Sequence, residues 1–149
     1  MNHKESFKAR TKVKIAERKC SEYLTSKEIP HHEFGFDPYN NPIPTKEFYL
    51  LPETIRSAPD LVVYKKDFFF LEVKGCKDVL RLKKCDMKAY GIWNKMMSVW
   101  FFIYSSLKNT AKFICYKDLN DITKYCKVDI YEDNKKEYFK VDLDKLYNK

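Results

Sequence analysis

The chain has 149 residues, of which 44% are hydrophobic and 16% aromatic, which excludes a generally disordered protein. This length predicts one domain, residues 1–149, with a core of its own. The net charge of +8 suits a polyanionic partner, whereas the three glycines leave no Gly-rich loop of the kind that holds nucleotide phosphates.

The first third of the chain predicts a basic lead-in, a helix and a proline-rich loop. Residues 1–10 are polar and basic, unlike a secretory signal, and we expect them to be partly flexible. An apolar stripe at helical spacing follows, formed by Val13, Ala16, Cys20, Tyr23 and Leu24. Glu17 lies beside this stripe. Four prolines between residues 30 and 44 predict a loop, and residues 48–51 predict a short strand.

The next segment predicts a β-hairpin that carries three charged residues. Residues 61–64 and 68–73 are β-branched and aromatic, and residues 65–67 form the polar turn between them. We expect Asp67 to supply the left-handed residue of this turn, since Asp tolerates that conformation. A turn centred on Lys66 pairs Asp60 with Glu72 on one face. Because side chains alternate along a strand, Lys74 joins that face.

Two neighbouring carboxylates repel each other unless one is protonated or a cation lies between them. Magnesium or manganese accepts oxygen ligands and can polarise a phosphate and activate water. The hairpin therefore predicts a metal site that cuts phosphodiesters, with Asp60 and Glu72 as ligands. The alternative is a hairpin whose charges fall at a solvated end of the sheet, where Lys74 pairs only with Glu72.

The second half predicts a helix over residues 77–97, with an apolar side that Asp86 interrupts. Lys77, Arg81 and Lys84 form a basic stripe on this helix that could contact a nucleic-acid strand, and Arg56 is a candidate phosphate contact. The alternative is a solvated lysine face.

Strands and a final helical turn account for the rest of the chain. Residues 98–104 and 112–116 predict buried strands, residues 127–131 and 138–143 a peripheral hairpin, and residues 144–147 a helical turn. The longest apolar run, residues 99–104, is too short to span a membrane. Five cysteines without CxxC spacing indicate reduced thiols, and we expect a protein of the cytoplasm, nucleoid or nucleus that is not secreted.

Pro59-Asp60 and Glu72-Val73-Lys74 resemble the signature of the PD-(D/E)XK nuclease superfamily. The resemblance implies a restriction-endonuclease-like α/β fold, with a central mixed sheet of about five strands flanked by the two predicted helices. It also implies metal-dependent endonuclease activity. Asp60, Glu72 and the Val73 carbonyl would hold Mg²⁺ or Mn²⁺, and Lys74 would position the attacking hydroxide.

Residues 16–29 resemble the first helix of phage endonuclease I-type Holliday-junction resolvases, which ends in Ser-Lys-x-Ile, here Ser26-Lys27-Glu28-Ile29. This resemblance implies that Glu17 is an additional metal-site carboxylate. It also implies a preference for branched DNA over RNA, and a homodimer. The alternative for Glu17 is a solvated helix residue.

Two other functions stay open on the sequence. One is an RNA endonuclease similar to the cap-snatching domains of segmented negative-strand RNA viruses. Those domains carry a histidine on the helix before the acidic cluster, and we place His3, His31 and His32 outside the predicted helix. The other is a non-catalytic module that binds nucleic acid or a protein partner.

Overall fold

The structure is a computed structural model that describes residues 3–36 and 42–147. In its first half the elements are α1 (His3–Ser26), β1 (His31–Glu33), α2 (Thr45–Phe48), α3 (Glu53–Arg56), β2 (Leu61–Lys65), β3 (Asp67–Cys76) and β4 (Val79–Lys83). In its second half they are α4 (Lys84–Met96), β5 (Val99–Ser105), β6 (Thr110–Cys115), α5 (Tyr116–Thr123), β7 (Lys127–Ile130), β8 (Glu137–Asp142) and α6 (Leu143–Tyr147).

Five strands form a mixed central sheet in the order β1-β2-β3-β5-β6. β3 and β5 are parallel, while the other neighbours are antiparallel. A parallel pair needs a crossover connection, which β4 and α4 supply here. The predicted mixed sheet, with the charged hairpin at its centre, is confirmed.

Helices cover both faces of this sheet, each over its own hydrophobic core. On one face, Ala16, Cys20 and Leu24 of α1 pack with Leu71 and Val73 of β3. The opposite core contains Phe70 and Phe101 of the sheet together with residues of α4, α5, α6 and the second sheet. Side chains that alternate along β3 therefore enter different cores, as the period of a strand requires. The predicted α/β class is confirmed.

A second sheet of three strands, in the order β4-β8-β7, packs against the core on the α4 side. It contains the predicted peripheral hairpin, now β7 and β8. The predicted helix over residues 77–97 is wrong in its first third, because residues 79–83 are strand β4 and α4 begins at Lys84. Leu80 and Leu82 are buried while Arg81 is exposed, which is the alternation of a strand. Lys77, Arg81 and Lys84 therefore do not form a helical stripe.

Two further expectations for the first third are wrong. Helix α1 begins at His3, so residues 3–10 are helical and His3 lies on the helix from which we excluded it. Residues 48–51 form no strand, because the chain turns there: Phe48 N–H donates to the Pro44 carbonyl at 2.9 Å, as in a helix. The loop residues 37–41 lie outside the described residues. No helix within residues 3–36 and 42–147 has the length and apolarity needed to cross a bilayer.

Candidate active site

The register of the central hairpin brings the predicted residues together. Leu61 pairs with Leu71 and Val62 with Phe70, so continuing this register places Asp60 opposite Glu72, as predicted. The turn differs from our expectation, because Lys66, with φ of 68°, is the left-handed residue and Asp67 already pairs with Lys65.

Backbone contacts hold Asp60 at the start of β2. The Asp60 carbonyl accepts hydrogen bonds from Phe34 N–H at 2.9 Å and from Gly35 N–H at 3.3 Å. Its Oδ2 atom accepts a third from Val73 N–H at 2.8 Å. A hydrogen bond to a carboxylate is among the stronger kinds in proteins. The carboxylate is therefore held against the middle of β3, next to Glu72.

Glu72 is a buried acid, with only 5% of its surface exposed. Burial and then the negative charge of Asp60 raise its pKa well above the usual range, and these effects outweigh the opposing influence of Lys74. The Tyr90 hydroxyl donates a hydrogen bond to Glu72 Oε2 and also opposes the rise. Two acidic groups thus meet in an environment that disfavours their joint ionisation.

Lys74 supplies a positive charge beside this pair. Its Nζ atom lies 3.9 Å from Glu72 Oε2 and 5.5 Å from the centre of the Tyr90 ring. Burial opposes the charged form, but the attraction of Glu72, Asp86 and Asp60 outweighs it and raises the pKa of Lys74. The side chain keeps 26% exposure, so solvent reaches part of it.

Two residues of α4 belong to the site although the sequence did not identify them. Tyr90 contacts Glu72, and Asp86 acts electrostatically on Lys74 and on Tyr90. Burial, followed by the charges of Glu72 and Asp86, raises the pKa of Tyr90 well above its usual range, so its phenol remains protonated. The signal for Tyr90 was its spacing, because residues four apart share one face of a helix and Asp86 had already interrupted the apolar side.

Glu17 is exposed on α1, one turn before the buried Cys20. Burial, followed by the negative charges of Asp60 and Glu17, raises the pKa of the Cys20 thiol to about 12. Both carboxylates therefore act on one thiol at the face of the sheet covered by α1. The role of Glu17 as a metal ligand stays a prediction.

The four predicted nucleic-acid contacts lie on separate elements. Arg56 donates to the Leu51 carbonyl at 3.1 Å and its guanidinium stacks over Tyr49. Lys84 Nζ pairs with Glu137 at 2.7 Å. Arg81 is exposed on β4, and Lys77 is exposed between β3 and β4. Their contact with nucleic acid stays a prediction, but α4 does not present them together.

The donor set of Asp60 and Glu72 fits a hard divalent cation. Such ions prefer carboxylate and carbonyl oxygens and commonly keep several waters, so two carboxylates can suffice. A cation would also relieve the repulsion that raises the pKa of Glu72. Within the described part of the chain, no three His, Cys, Asp or Glu side chains are grouped so that they could hold a metal together. Main-chain or solvent oxygens would therefore complete this coordination.

The fold and site define an α/β protein with two acidic residues and a lysine on its central hairpin. No protein-family model and no curated protein sequence matches the chain. It is similar to a solved structure described as that of D212, a nuclease from a fusselovirus, with a TM-score of 0.42 and 12% identity over 95% of this chain and 86% of that one. Similarity at this level carries no inference about function.

Proposed function

We propose that this protein is a divalent-metal-dependent endonuclease that hydrolyses phosphodiester bonds of nucleic acid. The observation that carries the proposal is the convergence of Asp60, Glu72 and Lys74. Asp60 raises the pKa of the buried Glu72, and Lys74 lies 3.9 Å from the same carboxyl group. A surface that only bound phosphate would gain nothing from paired carboxylates, because they repel the ligand.

Each residue has a distinct role in this proposal. Asp60, Glu72 and the Val73 carbonyl would hold Mg²⁺ or Mn²⁺. Because Glu17 is not grouped with the two carboxylates, it would hold a metal-bound water and not coordinate the ion directly. A bound cation supplies Lewis-acid polarisation of the phosphate and neutralises the charge that develops on it. Lys74 would hold the attacking water in place and offset negative charge on the phosphate.

The substrate that we favour is branched DNA, and we propose a homodimer because two strands of a junction must be cut. Both proposals rest on the likeness of residues 16–29 to junction resolvases. The net charge of +8 supports a nucleic-acid substrate in general. RNA is the alternative substrate.

A cleavage panel tests the activity. We expect wild-type protein to cleave a four-way junction faster than duplex DNA, single-stranded DNA or RNA, in Mg²⁺ or Mn²⁺ but not in EDTA. Asp60→Asn should lower the rate about 100-fold or more, since it removes a ligand of the cation that polarises the reacting phosphate. Asp67→Asn makes the same change at the other end of the hairpin and should leave the rate unchanged.

Lys74→Ala separates cleavage from binding. We expect a loss of about 100-fold or more in cleavage with binding of the junction retained, whereas Lys65→Ala should affect neither. Unchanged cleavage by Lys74→Ala would remove this residue from the mechanism. Cleavage of RNA alone would favour the RNA endonuclease, and binding without metal-dependent cleavage would favour a binding module.

A further inference from the structure

The second sheet presents a basic and aromatic surface next to the candidate active site. The register pairs Arg81 with Lys140 and Lys83 with Tyr138, and it pairs Lys140 with Lys127. Paired residues share a face, and alternate residues on one strand share it too. We call this surface, which faces away from Leu80 and Leu82, the outer face; its cationic and aromatic members are Arg81, Lys83, Lys127, Tyr131, Tyr138 and Lys140.

The outer face carries an excess of positive charge. The register gives it four cationic side chains and two carboxylates, those of Asp129 and Asp142, which leaves a net charge of +2. Lys140 pairs with Asp129 at 3.5 Å. Arg81 and Lys83 form no ion pair within residues 3–36 and 42–147; instead each lies over a tyrosine ring, at 5.5 and 5.8 Å from the ring centre. These two cations are therefore available to an anionic ligand.

Two tyrosine rings in tilted contact give this surface an aromatic component. The rings of Tyr131 and Tyr138 are 4.3 Å apart at 40°, and Tyr138 is buried beneath its neighbours. Tyr131 is only half-buried, and its backbone is held by two hydrogen bonds, to Lys135 and Lys136, both at 3.0 Å. A rigid aromatic ring beside free cations is the arrangement that binds an unstacked base and its phosphates.

Tyr131 also connects the outer face to the catalytic lysine. The outer face adjoins the elements that carry Lys74 and Asp86, because β3 leads into β4 through residues 77 and 78 and α4 begins directly after Lys83. Lys74 and Asp86 also act electrostatically on the Tyr131 hydroxyl. A strand whose phosphate lay at Lys74 could therefore continue across Tyr131 toward Arg81. Duplex DNA would satisfy the cations but not the ring, because its bases are already stacked.

We propose that the outer face binds an unpaired segment of the nucleic-acid strand that enters the active site, with Arg81 and Lys83 at its phosphates and a base stacked on Tyr131. This inference rests on the proposed function only for nucleic acid as the class of ligand, and the unpaired segment would be that of a branched substrate with a single-stranded arm. It names residues that the cleavage chemistry itself does not require.

Binding measured in EDTA, where no cleavage is expected, tests the proposal. The probes are a fluorescently labelled single-stranded oligonucleotide and the same sequence as a duplex, followed by fluorescence anisotropy. Tyr131→Leu should weaken single-strand binding by about 5- to 150-fold, because stacking of one base is worth about 1–3 kcal/mol. Duplex binding should change less than about twofold, because no paired base stacks on the ring. Tyr131→Phe keeps the ring and should retain affinity, while Tyr125→Leu is the matched control at an exposed tyrosine.

The cations are tested separately, in a variant that leaves the two tyrosines intact. Arg81→Gln combined with Lys83→Gln should reduce the slope of log affinity against log salt by about 1.4 on the single strand, because two phosphate contacts are lost. The control variant, Lys95→Gln with Lys117→Gln, removes the same charge from helices α4 and α5. It should reduce the salt slope less than the Arg81→Gln and Lys83→Gln variant does.

Any of three outcomes would overturn the inference. Tyr131→Leu could bind the single strand as tightly as Tyr125→Leu does, or it could lose the same affinity for the single strand and for the duplex. The third outcome is an unchanged salt slope in the Arg81→Gln and Lys83→Gln variant. These results do not depend on cleavage. If wild-type protein cuts no substrate, the proposed endonuclease activity is wrong. The binding data still decide whether the outer face binds an unpaired strand.

Discussion

Tyr90→Phe is the most informative single change, because it removes one hydroxyl from the buried part of the site. The hydroxyl donates to Glu72 Oε2, and the ring has other contacts that phenylalanine keeps. The ring meets Phe101 edge-on at 5.3 Å, and Lys74 lies 5.5 Å from its centre. The substitution therefore tests the hydrogen bond with little change in packing.

The expected cost follows from the burial of both partners. Leaving a buried acceptor without its donor costs about 1–3 kcal/mol. For a chain of this length this corresponds to a fall in Tm of about 3–9 °C. The hydrogen bond from Tyr90 also lowers the pKa of Glu72, so its loss should raise that pKa further. Less Glu72 is then ionised at a given pH, and the acid side of the pH–rate profile of cleavage should move to higher pH.

Thermal unfolding and the pH dependence of metal-dependent cleavage measure these two effects. Tyr104→Phe is the matched control, because Tyr104 is also buried and donates to Asn109 Oδ1 at 2.6 Å, on the other face of the sheet. The control should lose stability without a shift in the profile. An unshifted profile in Tyr90→Phe would refute the reasoning and leave Tyr90 a purely structural residue.

Two further predictions concern the acid pair and its support. In EDTA, wild type should lose stability relative to Glu72→Gln as pH rises above about 4.3, the pKa of an unfolded glutamate. Between that value and the raised pKa of folded Glu72, only the folded wild-type protein holds the proton, so its free energy of unfolding falls with pH. The variant has no such group, and its free energy of unfolding should not fall for this reason. Urea denaturation curves that keep a constant difference across this interval would contradict the raised pKa. Gly35→Ala should cost about 1–3 kcal/mol and reduce cleavage, because its Cβ would lie 2.8 Å from the Pro59 carbonyl oxygen and displace the segment that carries Asp60. If urea unfolding shows unchanged stability in Gly35→Ala, the segment accommodates the added Cβ without strain and the prediction is wrong.

The central hairpin could be predicted because the residues that determine its pairing lie in one short stretch of the sequence. A polar turn between two β-branched and aromatic runs determines the pairing, and the pairing determines that Asp60 meets Glu72. Only the turn was predicted wrongly. It has one residue between the paired strands and not three, so the left-handed residue is Lys66 and not Asp67.

The contributions of distant segments could not be predicted in the same way. Residues 79–83 contain apolar residues that suit a helix or a strand, and the choice is made by β8, whose Lys140 pairs with Arg81. Tyr90 reaches Glu72 only because α4 begins at Lys84 and packs beside β3, which no local pattern specifies. The outer face depends on the same pairing of β4 with β8, so the sequence alone did not predict that its residues form one surface.

The most direct test of the shared cation is the anomalous diffraction of crystals grown with Mn²⁺. We predict a peak at about 2.0–2.3 Å from carboxylate oxygens of both Asp60 and Glu72, absent in Asp60→Asn crystals and retained in Asp67→Asn crystals. A structure at saturating Mn²⁺ with no peak between the two side chains, or with the same peak after Asp60→Asn, would contradict the account.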